Sequence, residues 1–169
     1  MCSLKIEEYK NGFLLPFLQH NQDDTFYMRF QIPHGWNFGE IRPHIHLIPC
    51  AELGLNVTRS IDLGYQVGWV HKESLWPITW QTGSLIYQIS GSMFDMHKFV
   101  VLCTVNNDLN SNHSDILLMK IVRSGSSSPN DTYTESKSGG TLAANVALLY
   151  ADLHLKINKN GTLNELFGP

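Results

Sequence analysis

Apolar and polar residues alternate with a period of two in several separate segments of this chain. In residues 26–32, for example, Phe26, Met28 and Phe30 fall on one face and Arg29 on the other. This alternation is typical of half-buried β-strands. The same pattern, or a short apolar run bounded by turn residues, predicts strands over residues 39–49, 57–70, 84–89, 99–105, 116–122 and 145–157.

Residues 142–157 are the one long stretch whose composition would also suit a helix. They are mostly apolar and contain neither proline nor glycine. Their apolar positions nevertheless follow a period of two up to residue 157, with Val146, Leu148, Tyr150 and His154 on one predicted face, which favours a strand.

Seven or eight strands at regular spacing and no long helix predict an all-β protein. We expect a jelly-roll-like antiparallel β-sandwich. Residues 26–169 are predicted to form this single domain, and residues 1–25 an extended N-terminal arm. The arm is apolar enough to dock on this domain, on a neighbouring subunit or on a capsid protein, because it contains Leu14, Leu15, Phe17 and Leu18. We expect the domain to fold without residues 1–20.

Charge and cysteine content narrow the function classes. Only 16% of the 169 residues are charged, the net charge is −3, and no basic run is present, which argues against nucleic-acid binding. No apolar run approaches the ~20 residues of a membrane-spanning helix, and the start of the chain does not match a signal peptide. Three scattered cysteines do not form a disulfide framework.

The strand predicted over residues 39–49 carries the most distinctive chemistry. His44 and His46 fall on one face, opposite Pro43, Ile45 and Leu47. Two imidazoles at this spacing suit a metal ion, and His154 adds a third if the last strand lies beside this one. The candidate metal ligands are therefore His44, His46 and His154. Hydrogen bonding within a polar interior or a subunit seam explains the same residues without any metal. We therefore expect either no cofactor or a single structural metal ion at these histidines.

A cupin-like metalloenzyme using His44 and His46 is one alternative. Gly39, the two histidines and Glu52 follow the order of a cupin motif, but Glu52 lies late and beyond Pro49, and a second motif is missing. Nucleophile elbows and phosphate-binding glycine loops are absent from the sequence. We therefore expect a protein that is not an enzyme.

A glycan-binding module is the other alternative. Trp76 and Trp80 lie near a predicted loop over residues 71–81, and aromatic faces of this kind stack on sugars. A Ser/Gly-rich loop over residues 124–141 would supply further contacts. Tryptophans that pack in a core or an interface explain the same residues.

The order of the motifs resembles that of small virion proteins of tailed bacteriophages. The similarity includes the strand at 26–33, Pro43-His44-Ile45-His46 after Gly39, Arg123 followed by Asp131-Thr132-Tyr133, and a late Asp152-Leu153-His154. It covers roughly residues 26–162. Relatives usually have tryptophan where this chain has Leu47.

The resemblance implies a structural protein of the particle, made in the host cytoplasm. It implies a homotrimer that binds the major capsid protein or other virion proteins as a cement, decoration or fibre protein, without nucleic acid or membrane. Three copies of His44 and His46 would suit a threefold axis. The residues expected at the trimer or capsid interface are Leu14, Leu15, Phe17, Leu18, His44, His46, Trp69, Tyr133, Asp152 and His154.

Overall fold

The computed structural model describes residues 5–72, 80–105, 115–134 and 145–157, and most of these residues lie in β-strands. In those ranges, no helix is long and apolar enough to cross a membrane. One short 3₁₀ helix, Gly91–Met93, follows the sixth strand. The strands are β1 (Lys5–Glu8), β2 (Leu14–Leu18), β3 (Asp23–Gln31), β4 (Trp36–Pro49), β5 (Thr58–Val70), β6 (Trp80–Ser90), β7 (Lys98–Val101), β8 (Ile116–Ser124) and β9 (Val146–Ile157).

The strands form two antiparallel sheets, so the predicted all-β sandwich is confirmed. The larger sheet has the order β1-β2-β9-β4-β7 and the smaller one β3-β8-β5-β6. The pairs are nested: β5 pairs with β6, β4 with β7, β3 with β8 and β2 with β9. This is one long antiparallel ribbon rolled up so that β4 meets β9 and β5 meets β8, which is the jelly-roll arrangement.

Side-chain alternation places the core between the two sheets, as the sequence pattern predicts for β3, β4, β5 and β8. Ile45 and Leu47 of β4 and Ile61 and Leu63 of β5 are fully buried there. The expected strand over residues 99–105 is shorter than predicted, and Phe99 on it is 61% exposed. Each inner face thus contributes apolar side chains to one continuous core.

The N-terminal segment is not a separate arm. Residues 5–18 form β1 and β2, and β2 pairs with β9 in the larger sheet. Phe17 and Leu18 are fully buried in this chain. The prediction of a detachable arm was wrong, because the short strands around the turn at Asn11 and Gly12 are too brief to show a period. Removing residues 1–20 would take two strands, β1 and β2, out of the larger sheet, so we no longer expect the domain to fold without them.

A β-bulge in β9 changes which side chains face the core. Leu148 lies opposite Leu47 and Tyr150 lies opposite His46, so Leu149 has no partner on β4. Val146 and Leu148 consequently face the core, whereas Tyr150 lies on the outer side with His46. The prediction that Val146 and Leu148 share one face with His154 was wrong, because an inserted residue reverses the alternation, whereas Tyr150 and His154 do share the outer face.

The beginning of β4 also differs from the sequence prediction. The strand predicted over residues 39–49 begins earlier, at Trp36, and its register with β9 is irregular between Trp36 and Ile41. Trp36 is buried and stacks on Trp69, with ring centroids 5.7 Å apart. This aromatic pair fills the core near the start of β4, which a sequence rich in loop-forming residues concealed.

A buried arginine fixes the loop after β8 to both sheets. Arg123 donates two hydrogen bonds of 2.8 Å to the carboxylate of Asp131. It also donates to the carbonyl oxygens of Leu18 at the end of β2 and of Tyr133, each at 2.9 Å. The Tyr133 hydroxyl accepts from the backbone N–H of Ala51 at 2.6 Å and donates to its carbonyl at 3.0 Å. The arginine and the Asp-Thr-Tyr segment therefore act as an internal clamp.

We expect Arg123→Ala to lower the free energy of unfolding by roughly 3–5 kcal/mol, because it leaves a buried carboxylate without its partner. Denaturant titration of the purified protein measures this change. Arg59→Ala, at an exposed position on β5, is the matched control and should change stability by less than about 0.5 kcal/mol. Equal effects of the two substitutions would contradict the clamp.

Candidate functional site

The pairing of β4 with β9 brings the late histidine to the histidine strand. His44 lies directly opposite Asp152, and Arg42 lies opposite His154. Directly opposed residues in an antiparallel pair point to the same side of the sheet. Three histidines and one carboxylate therefore share the outer face of the larger sheet, so the condition set for three converging imidazoles is met.

The cluster is tight around one carboxylate oxygen. The Oδ1 atom of Asp152 lies 3.2 Å from Nδ1 of His44 and 3.5 Å from Nε2 of His46. The rings of His44 and His154 meet edge to face, with centroids 3.8 Å apart. Potential ligand atoms of His44, Asp152 and His154 all lie within 4.8 Å of one another. His46 approaches the same carboxylate but is absent from this closest group.

A second ring of contacts holds His46 in place. Its Nδ1 atom is 2.6 Å from Nε2 of His97, and its ring stacks on Tyr150 at a centroid distance of 3.9 Å. Phe99, opposite His46 on β7, lies beside both His44 and His46. The sequence analysis did not find His97 or Phe99 and did not place Tyr150 against His46, because no local pattern shows which strand lies beside β4.

Three polar atoms at the centre of the cluster lack good hydrogen bonds. His44 and His46 are 2% and 9% exposed. Nδ1 of His44, Nε2 of His46 and Oδ1 of Asp152 are buried. None of the three forms a hydrogen bond of acceptable geometry, although the carboxylate oxygen lies close to both nitrogens. Buried polar atoms without partners are costly. The cluster is therefore chemically incomplete within the part of the chain that the structure describes.

The electrostatic surroundings keep His44 neutral. Burial lowers the pKa of His44 below its ordinary value of 6.5, and the nearby His154 and His46 lower it further. The Asp152 carboxylate opposes this shift without cancelling it. A neutral imidazole at pH 7 keeps a lone pair for coordination or for accepting a hydrogen bond.

The other residues expected at an interface divide into two groups. Phe17, Leu18, Trp69 and Tyr133 are at most 6% exposed and pack inside this chain, so they offer no surface to a partner and their assignment was wrong. Leu14 is 67% exposed and Leu15 is partly exposed. Asp152 and His154 lie in the cluster and are accessible.

A cleft adjoins the cluster on the same sheet. It has a volume of about 440 Å³ and is lined by Gly39, Glu40, Arg42, His154, Leu155 and Lys156. The cupin-like alternative would have to work on this outer face, because the inner side of β4 is filled by Ile45 and Leu47. Glu52, its proposed carboxylate, is exposed in the segment after β4.

The two described cysteines are free thiols. Burial raises the pKa of Cys50 to about 12 and that of Cys103 to about 11. Both therefore remain protonated at neutral pH and are poor nucleophiles.

No protein-family model matches the chain, and no curated protein matches its sequence. Among solved structures, a chain from the infectious bursal disease virus Gt strain is 9% identical, with a TM-score of 0.16 over 90% of this chain and 47% of that chain. This chain thus spans about half the length of that viral chain. So low a TM-score carries no argument about function.

We expect the metal-free protein to lose stability as the pH falls below about 6.5, the ordinary pKa of histidine. Because folding lowers the pKa of His44, the unfolded state binds more protons in the window between that value and the lower folded pKa. Stability is therefore complete above this window and is lost as the pH falls through it. Denaturant midpoints at pH 7.5 and 5.5, measured in EDTA, test this.

His44→Gln should flatten that pH dependence, because it removes the titrating imidazole from beside His46, Asp152 and His154. His34→Gln, at an exposed position between β3 and β4, is the control and should keep the slope of the wild type. An unchanged slope in His44→Gln would assign the pH dependence to other groups.

Proposed function

We propose that the chain is a structural protein of a tailed-bacteriophage virion, made in the host cytoplasm, that assembles as a homotrimer. Two lines support this proposal. The motif order resembles that of small virion proteins, and jelly rolls are common in viral capsid domains. The proposal assigns no catalytic step to the chain; its role is binding to other copies and to capsid or other virion proteins.

The observation that carries the proposal is an apolar rim around the histidine cluster. Phe99, Val101 and Tyr150 are 61%, 41% and 50% exposed. Phe99 and Tyr150 lie opposite His46, and Val101 lies opposite His44, so all three share the outer face. Exposed aromatic residues grouped around buried polar atoms are characteristic of protein interfaces.

A second exposed apolar surface lies at the other edge of the same sheet. Leu14, the first residue of β2, is 67% exposed, and Phe13 just before it is 69% exposed. Ile6 of β1 is 65% exposed. Contacts in a cyclic trimer join two different surfaces of neighbouring copies. In such a trimer, the apolar rim of one copy would contact the β1–β2 edge of the next copy.

We expect the purified protein to have three times the chain mass of 19.1 kDa by light scattering. Phe99→Lys combined with Tyr150→Lys should shift it to monomer, since two charges would enter the interface core. Ile86→Lys is the matched control, because Ile86 is 40% exposed on the smaller sheet and should leave the trimer intact. A monomeric wild type at tens of micromolar would contradict the trimer.

Association with the particle needs its own measurement. We expect mass spectrometry of purified particles of the phage that encodes this chain to find it in a copy number divisible by three. Antibodies against the protein should label those particles in electron micrographs. Presence in infected cells together with absence from washed particles would overturn the virion role.

Glycan binding remains a second candidate because of one cavity on the smaller sheet. It has a volume of about 390 Å³ and is lined by Tyr27, Met28, Gln66, Trp80, Leu118, Met119 and Lys120. Tyr27 and Trp80 are 67% and 40% exposed, so their rings are available to stack on a sugar. Trp76 and most of its predicted loop lie outside the described residues.

If this cavity binds a glycan, a glycan array should give a reproducible hit that Tyr27→Ala abolishes. Tyr27 suits the test because Trp80 lies against Gly68, so that replacing the tryptophan would also disturb the sheet. Phe99→Ala, on the other sheet, is the control and should retain the signal. An array without hits, or a hit that survives Tyr27→Ala, would remove this candidate.

A further inference from the structure

We propose that His44, Asp152 and His154 bind one zinc-class divalent metal ion in each chain. Two imidazoles and one carboxylate are a common zinc ligand set. The sequence prediction contained the histidines alone as metal ligands, and the structure adds the carboxylate directly opposite His44. This inference goes beyond the proposed virion role and does not depend on it.

The separation of the first two ligand atoms fits a shared ion. Ligand atoms about 2.0–2.1 Å from a tetrahedral zinc lie about 3.3 Å from each other. Nδ1 of His44 and Oδ1 of Asp152 are 3.2 Å apart. His154 completes the group, with its ligand atom within 4.8 Å of the other two, and it lies at an exposed position on β9.

The same two atoms are among the three in the cluster that lack hydrogen bonds. Nδ1 of His44 and Oδ1 of Asp152 are buried and have no partner of acceptable geometry among the described residues. A hydrogen-bonded pair would have satisfied both atoms at this distance. An ion between them would satisfy both at once, which explains why they are close but poorly aligned.

The backbone holds the three ligands on adjacent strands. His44 is fixed opposite Asp152, and His154 lies two residues further along the same face of β9. Ligands on strands are held more accurately than ligands on loops. His46 packs beside the carboxylate, with Nε2 3.5 Å from the Asp152 oxygen and Nδ1 against His97, and acts as a positioning residue through this close packing, not through a hydrogen bond.

Three protein ligands leave one position of a tetrahedral ion open. The cleft lined by Arg42, His154 and Lys156 adjoins the cluster at His154. Water, a small anion or a side chain from a second copy can complete the coordination. The site therefore differs from an ion shared on a threefold axis, which would bind once per three chains.

Zinc binding to the full-length protein, stripped with EDTA, tests the proposal. We expect elemental analysis after zinc loading to give one ion per chain. Competition with a chromogenic chelator should show affinity at least ~100-fold weaker in Asp152→Asn and His154→Ala, and His46→Ala should weaken it by about 10-fold. Cobalt(II) should give an intense visible spectrum that His46→Ala retains and His154→Ala alters.

His34→Ala is the matched control and should bind zinc as the wild type does, since His34 lies in the turn before β4. Zinc should raise the melting temperature of the wild type and of this control, but not that of Asp152→Asn. Asp152→Asn is compared directly with the wild type, because the melting temperature of each protein is measured with and without zinc.

Failure to bind zinc stoichiometrically, unchanged affinity in Asp152→Asn and His154→Ala, or one ion per three chains would each overturn the proposal. One ion per three chains would at the same time support a trimer. The other two results leave the virion role untouched, because oligomeric mass and particle association are measured separately from zinc binding. The two proposals can therefore fail separately.

Discussion

The pairing of β4 with β9 is the constraint on which the fold and the cluster both depend. It joins the β2–β9 and β4–β7 pairs into the single larger sheet of the jelly roll. The same register sets His44 opposite Asp152. A slip of one residue would turn the histidines inward and expose Ile45 and Leu47, so burial of that apolar pair holds the cluster in place. The bulge at Leu149 is part of this constraint, because it lets β9 supply Leu148 to the core and Asp152 to the outer face.

Arg123 secures the roll at a different point. A buried ion pair gains little net stability over apolar packing, because both charges must be desolvated. Its main effect here is to fix the positions of several segments. One guanidinium donates hydrogen bonds to Asp131, to Tyr133 and to Leu18 at the end of β2, and the Tyr133 hydroxyl accepts a hydrogen bond from Ala51 after β4. The arginine and Asp-Thr-Tyr motif is thus accounted for by packing within one chain. Arg123, Asp131 and Tyr133 are buried, so they stabilise the fold of this chain and offer no surface to a partner.

Local alternation was sufficient to predict most strands but not their neighbours. Residues 26–32 and 57–70 have a clear period of two, and the alternation in residues 145–157 correctly outweighed a composition suited to a helix. Alternation failed where the chain adds a residue, as at Leu149, and where strands are short, as in β1 and β2. The cluster was half predicted for the same reason: His44, His46 and His154 lie in recognisable strands, whereas His97 and Phe99 join them through the pairing of β4 with β7. Strand pairing is non-local, and a single sequence contains no local signal for it.

The metal proposal and the trimer proposal concern one surface, and this has a thermodynamic consequence. Phe99, Val101 and Tyr150 surround the atoms that would hold the ion, so a neighbouring copy seated on this rim would cover the open coordination position. An ion that binds the folded cluster stabilises every state that contains it. If the neighbour also supplies the fourth ligand, the ion binds the trimer more tightly than the monomer, and by reciprocity it strengthens assembly by the same factor. If water remains the fourth ligand, ion affinity is the same in both states and assembly is indifferent to zinc. The dependence of the trimer dissociation constant on zinc therefore distinguishes a metal that stabilises one chain from a metal that links its neighbours.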